Sequence, residues 1–332
     1  MSARHTLVAA LLLALALPSM AVANVWTETR LFGTYATGDR DLQSDWNPDR
    51  KEDLNDQRFG GQFTFFFPSV KDADEFEREP VELRTFLQHP CSVSVSGHQR
   101  DRTLETAGGD NERKDTRLGG AVELFTPTRN FATGLGASYS VTQREYSSPG
   151  GSGSEYDDTR LRVQFSQYFS RFFRLQLAYL QETAERTDSG STYEETANLG
   201  ELGLKASFGN VVSLELAGGG GAQERGSSGA NSDFNLARAR SELGVYFGRH
   251  VSLLLGGSYT YAELDEDDST TDYTEKGLYY YAQGNVWFGG HFGVRVRLYR
   301  DEWESEQDSS GGGQQTDTWA YTGVTTSLAV RF

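Results

Sequence analysis

The chain has 332 residues, with 47 Asp and Glu against 31 Lys and Arg, a formal net charge of −16 and 12% aromatic residues. So large an acid excess argues against a basic nucleic-acid-binding surface, and a lone Cys91 excludes an internal disulfide, so something else must hold the fold. Composition alone would suit a soluble acidic protein; the order of the residues says otherwise.

At the N-terminus Arg4 and His5 precede the apolar run Leu7 to Leu17, then Pro18, Ser19 and the small-residue site Ala21-Val22-Ala23. This pattern predicts a cleaved signal peptide over 1–23, leaving 24–332 as the mature domain. Losing Arg4 leaves 30 basic against 47 acidic residues, a net charge of −17. Nothing after residue 23 approaches the ~20 consecutive apolar residues of a transmembrane helix.

Seven phenylalanines, Phe67, Phe125, Phe169, Phe208, Phe247, Phe288 and Phe332, each close a strand-like run, at spacings of 58, 44, 39, 39, 41 and 44 residues. A recurrence of about 40 residues reads as a repeated β-hairpin. The expected fold is all-β, a transmembrane antiparallel up-and-down β-barrel of about 14 strands, with roughly 12 to 16 as the range. Within each run one parity is apolar. Val294, Val296 and Leu298 alternate with Arg295 and Arg297; Leu243, Val245 and Phe247 with Glu242, Gly244 and Tyr246; Leu202, Leu204 and Phe208 with Glu201, Gly203 and Lys205. A soluble β-sandwich also alternates, but an Arg on a lipid face costs about 2–4 kcal/mol at mid-bilayer, which fixes the parity that faces outward. Phe125 is the exception: Leu118, Val122 and Leu124 suit the outward face, so Phe125 is expected in a turn. The strand-end Phe residues would form one aromatic girdle, with Tyr139, Tyr179, Tyr259, Tyr261 and Tyr280 in the other.

The connections sort by length. Pro127–Asn130, Ser170-Arg171, Gly209-Asn210, Gly248–His250 and Gly289–His291 are tight. Longer polar loops are expected at 39–56, 103–111, 147–154, 183–191, 223–233, 265–272 and 303–317, on the extracellular side. The junction over 68–90 breaks this rule, being long on the periplasmic side; it is expected on the rim, with entry into the lumen as the alternative. The acid runs Asp265–Asp268 and Asp301–Glu306 read as solvated loop charge, with divalent cations bridging to lipopolysaccharide as the sharper alternative. The Gly218–Gly221 run lies in a strand, and no phosphate-binding glycine loop, metal-ligand spacing or cofactor motif is found.

The C-terminal run Val324 to Phe332 ends on Phe, with Val330 and Leu328 at every second position before it and Thr326 as the one polar outward residue. It resembles the terminal-strand signal of Gram-negative outer-membrane β-barrels, and the stretch from Pro80 to Phe86-Leu87 and on to Ser96 resembles a junction in porins of proteobacteria. The resemblance implies partnership with the barrel assembly machinery through Phe332, Val330 and Leu328. It also implies an outer-membrane location among lipids and lipopolysaccharide. With no motif for either in the sequence, no cofactor or metal is expected.

About fourteen strands leave a water-accessible lumen. Its lining is expected to include Arg58, Arg100, Arg117, Arg160, Arg162, Arg174, Lys205, Arg238, Arg240, Arg295 and Arg297, with Glu201 and Glu242 among the acids. A locally basic wall suits diffusion of small hydrophilic solutes, anions in particular; the alternative is that these groups pair across strands and rigidify the wall. A structural or adhesive barrel without transport stays open. An enzyme acting on lipid or peptide is disfavoured, because His98 shares the lumen parity with Ser94 and Ser96, while His250 and His291 fall in tight turns.

Overall fold

The computed structural model describes residues 26–332 apart from 46–49, 68–79, 89, 107–108, 127–130, 150–153, 189–190, 228–229, 265–270, 290 and 310–312. The predicted signal segment 1–23 and the acids Asp265–Asp268 therefore lie outside the described residues. Fourteen strands follow in chain order: β1 (Trp26–Ser44), β2 (Arg50–Phe67), β3 (Cys91–Thr106), β4 (Gly109–Phe125), β5 (Thr133–Ser147), β6 (Ser154–Ser170) and β7 (Phe173–Asp188). The second half comprises β8 (Ser191–Phe208), β9 (Val212–Ser227), β10 (Ala230–Phe247), β11 (Val251–Leu264), β12 (Thr271–Phe288), β13 (Phe292–Ser309) and β14 (Gly313–Arg331). One short helix among the described residues, α1 (Arg84–Gln88), lies between β2 and β3.

Each strand pairs antiparallel with its sequence neighbours, and β1 closes on β14. Closure is in register from Glu28 opposite Arg331 through Leu31 opposite Leu328. Thr27 N–H donates to the Phe332 carbonyl at 3.0 Å, and Phe332 N–H donates to the Thr27 carbonyl at 3.0 Å. Both chain ends of the barrel thus meet at one rim, here the terminal end; the opposite rim is the loop end. A closed ladder leaves no unpaired strand edge, which is what permits a sheet to stand in hydrocarbon.

The predicted parity holds around the wall. Val296 and Leu298 are exposed at 43% and 59% on the outer surface while Arg295 and Arg297 between them hydrogen-bond to inward-facing Asn285 and Gln283. Leu202 and Leu243 are exposed and Glu201 is buried. A period of two forces this, because slipping a strand by one residue would move both arginines into the outer belt. At the terminal end Phe208-Gly209, Phe247-Gly248 and Phe288-Gly289 share one device: an outward Phe, then a glycine at φ +62°, +69° and +60°. A side chain at those left-handed positions would be strained, which is why the tight turns carry glycine.

Three expectations are corrected. Phe125 is the last residue of β4, turned inward, and meets Tyr168 edge-on at 5.8 Å. The segments expected as long extracellular loops are, among the described residues, mostly strand: β1 runs to Ser44, β2 begins at Arg50, and β13 continues to Ser309. The polar ends alternate and pair, so ion pairs extend the ladder past the apolar belt. Arg40 bridges Glu52 at 3.2 Å and Asp317 at 2.8 Å, and Lys276 bridges Glu304 at 3.1 Å and Glu306 at 3.0 Å. Glu304 and Glu306 are thereby held by a lysine. The long junction also departs from its expected place on the rim.

Candidate functional site

The described part of that junction, Pro80–Gln88, enters the barrel. Val81, Leu83, Phe86 and Leu87 are all buried. Leu83, Phe86 and Leu87 repeat at helical spacing, and the single turn closes with Leu87 N–H donating to the Leu83 carbonyl at 3.0 Å. Its apolar side packs against Ala132, Tyr168 of β6, Tyr246 of β10 and Leu254 of β11, while Val81 packs with Trp287 of β12 and Ala329 of β14. Contacts with strands this far apart around the circumference mean that Pro80–Gln88 crosses the lumen as a plug at the terminal end.

Polar bonds fasten it. The Glu82 carboxylate accepts from Arg295 Nη2 at 2.9 Å and from Trp287 Nε1 at 2.9 Å. Arg331 Nη1 donates to the Val81 carbonyl at 3.2 Å while its guanidinium holds Glu28 at 2.6 Å. Lys205 and Arg174 lie 5.4 and 5.7 Å from the Phe86 ring. The signal for this plug was present in the wall: Tyr168, Tyr246, Leu254 and Trp287 are large apolar side chains on the parity that should face water. An apolar patch on an aqueous lumen needs a cover.

Beyond the plug, cavities of about 380, 410 and 480 Å³ follow one another toward the loop end. The first is lined by Glu82 and Thr85 of the plug with Arg30, Glu123 and Gln164. It shares Gln62, Ser94, Ala121, Ser138 and Arg162 with the second, and the second shares Arg117 and Arg160 with the third. Charged and hydroxyl side chains line all three, and the third adds Leu180, Leu199, Leu236 and Trp303. Along β12–β14 the lumen carries a tyrosine cluster: Tyr279 lies 5.7 Å from both Tyr281 and Tyr299, and Tyr299 lies 6.3 Å from Tyr321.

The arginines expected in the lumen divide into two groups. Arg100 is held by Asp56, Arg160 bridges Glu182 at 2.9 Å, and Lys205 bridges Glu215 at 3.0 Å. Arg162 and Arg240 share Glu201 at 2.8 and 2.9 Å, and Arg295 holds Glu82. Arg297 Nε donates to Gln283 at 2.7 Å and lies 4.1 Å from the Tyr281 ring, whose hydroxyl donates to Glu242. Arg174 faces the Tyr168 ring at 5.9 Å. Arg58, Arg117 and Arg238, like Arg174 and Arg297, have no carboxylate within ion-pair distance among the described residues. Arg58 Nη2 donates to His98 Nδ1 at 3.2 Å, and Arg117 Nη2 donates to Ser140 Oγ at 2.7 Å. The wall is therefore both cross-braced and left with excess positive charge.

The sequence missed Glu28, Asp56, Glu82 and Arg331, which carry the densest of these contacts. Asp56 and Glu28 had the right parity, but nothing local distinguishes a paired acid from a solvated one. His98 does not join Ser94 or Ser96 in a catalytic arrangement; its ring nitrogen is engaged by Arg58. Among the C-terminal residues, Leu328 and Phe332 are exposed on the outer surface, and Val330 stands opposite Thr29 at the closing seam.

A closed antiparallel barrel with a leucine-, valine- and phenylalanine-rich exterior, aromatic rims and a charged interior defines the class: this is an outer-membrane β-barrel of the Gram-negative type. No protein-family model and no curated protein matches the chain. Solved structures do. A FadL homologue of Pseudomonas aeruginosa is similar with a TM-score of 0.51 and 10% identity, covering 92% of this chain and 90% of that one. A TodX monoaromatic hydrocarbon channel, a deltaS2 mutant, is similar with a TM-score of 0.50 and 10% identity, covering 95% and 92%. Omp33 of Acinetobacter baumannii, an outer-membrane protein, covers 93% and 100% at 13% identity with a TM-score of 0.38. The likeness is one of fold.

Proposed function

We propose that this barrel is an outer-membrane channel through which small hydrophilic solutes diffuse, with a preference for anions. The observation that carries the reading is the series of arginine-lined cavities in which Arg58, Arg117 and Arg238 lack carboxylate partners among the described residues. Guanidinium groups lining a narrow, low-dielectric passage raise the local concentration of anions. TodX is named as a hydrocarbon channel, which agrees with transport as a use of this fold; the charged interior here suits ions better than hydrocarbons. In this reading the terminal end faces the periplasm after cleavage of residues 1–23, and Phe332, Val330 and Leu328 present the last strand to the assembly machinery. Outer-membrane lipid and lipopolysaccharide surround the belt.

A specific observation favours a second reading, that of a structural barrel without transport: the Pro80–Gln88 plug crosses the terminal end. Planar-bilayer recording across a potassium chloride gradient separates the two. A reversal potential displaced toward that of chloride is expected. Cation preference would overturn the anion reading. Absence of conductance, both in the wild type and in a variant with the plug loosened, would leave the structural barrel.

A further inference from the structure

The middle cavity, of about 410 Å³, is lined by Arg58, Arg117, Arg160 and Arg162 with His98 and serine hydroxyls, and no carboxylate is among its lining residues. We propose that it is a binding site for a small oxyanion carrying two negative charges, phosphate-like in its chemistry, held between Arg58 and Arg117. The proposal rests on the channel reading only for how the solute arrives.

Strand register builds the site. His98 on β3 stands opposite Arg117 on β4, and Ser140 on β5 stands opposite Arg160 on β6, so the donors form a continuous row around the wall. Arg160 and Arg162 have their charges met by Glu182 and Glu201, and Glu201 is shared with Arg240. Arg58 and Arg117 are not met. Two guanidiniums in excess match an anion of charge two. Moreover, Arg58 stands directly opposite Arg100 in the β2–β3 register, a like-charge pairing that destabilises a sheet. Its Nε is buried with no hydrogen-bond partner. A bound oxyanion offsets the like-charge repulsion, because guanidinium N–H groups donate in pairs to two oxygens at once.

His98 supplies a further donor. A guanidinium can only donate, so its bond to His98 Nδ1 makes that nitrogen an acceptor. The ring proton is then on Nε2 and available to a ligand. The Phe32 ring, which also lines the cavity, lies 5.2 Å from the Arg58 guanidinium and helps to hold the fork in place. Every donor projects into the lumen, so lipid phosphates outside the wall do not reach the site and the ligand comes from solution.

The test is calorimetric titration of inorganic phosphate into the full-length mature protein refolded in detergent, with chloride conductance measured in parallel. One phosphate per barrel is expected, with affinity at least tenfold weaker in Arg58→Gln and in Arg117→Gln and unchanged in Arg300→Gln on the outer surface. Without phosphate, Arg58→Gln should melt at or above the wild-type temperature; with phosphate the order should reverse, a crossover that a merely structural arginine would not give. If a glutamine variant does not fold, Arg58→Lys keeps the charge without the fork and should also bind more weakly. Absence of phosphate binding with anion-selective conductance intact would overturn the site and leave the channel reading standing. Binding unchanged in both glutamine variants would overturn it equally.

Discussion

Glu82→Gln isolates the charge that fastens the plug. The substitution preserves side-chain volume and an acceptor for the Trp287 N–H, and removes the carboxylate that faces Arg295 at 2.9 Å. Both partners are largely shielded, with side-chain exposures of 14% for Glu82 and 20% for Arg295. Breaking a buried pair by neutralising one member costs about 3–5 kcal/mol. Arg295 keeps its 2.8 Å bond to Asn285, so the lower figure, about 3 kcal/mol, applies. At 1.4 kcal/mol per factor of ten, the population with the plug displaced should rise about 100-fold. The apolar contacts of Leu83, Phe86 and Leu87 remain and keep it the minor state. Single-channel recording at low voltage reads this as longer or more frequent high-conductance events. Arg295→Gln should act in the same direction, and the double variant should fall short of the sum of the two, as expected for residues in contact. Traces of Glu82→Gln indistinguishable from wild type, with additive behaviour in the double variant, would refute the latch.

Two further predictions concern the wall. Val296→Arg places a guanidinium on the outer belt where Val296 is exposed, and should cost up to about 2–4 kcal/mol of folding free energy in lipid vesicles by urea titration; an unchanged midpoint would mean that this face does not meet hydrocarbon. In β9, a Cβ at Gly219 would stand 2.0 Å from the Gly200 carbonyl oxygen, whereas at Gly284 it would meet nothing within 4 Å. Gly219→Ala should therefore destabilise by about 1–3 kcal/mol, read as earlier loss of the compact form on heated gels, and Gly284→Ala should migrate like wild type; equal behaviour of the two would show that the β8–β9 approach is looser than described.

Residue order alone determined the architecture. Alternation with a period of two is a local property, and it divides each strand between lipid and water without knowledge of any partner: Val296 and Arg297 declare their sides by chemistry. The recurrence of strand-ending Phe before a turn then sets the hairpin count. What only the tertiary structure decided is pairing between residues remote in the chain. Whether Arg295 lines an open lumen or holds a plug depends on Glu82, 213 residues away, and Arg40 finds Asp317 across 277 residues. Such partners are set by the stagger of fourteen strands around a closed circumference. The polar ends expected to be loops became strand for the same reason, since closure brings their charges into register. The Phe86–Leu87 stretch looked like a rim segment because its apolar residues had no visible destination; the barrel's inward Tyr168 of β6, Tyr246 of β10 and Leu254 of β11 provide one only after the wall has closed.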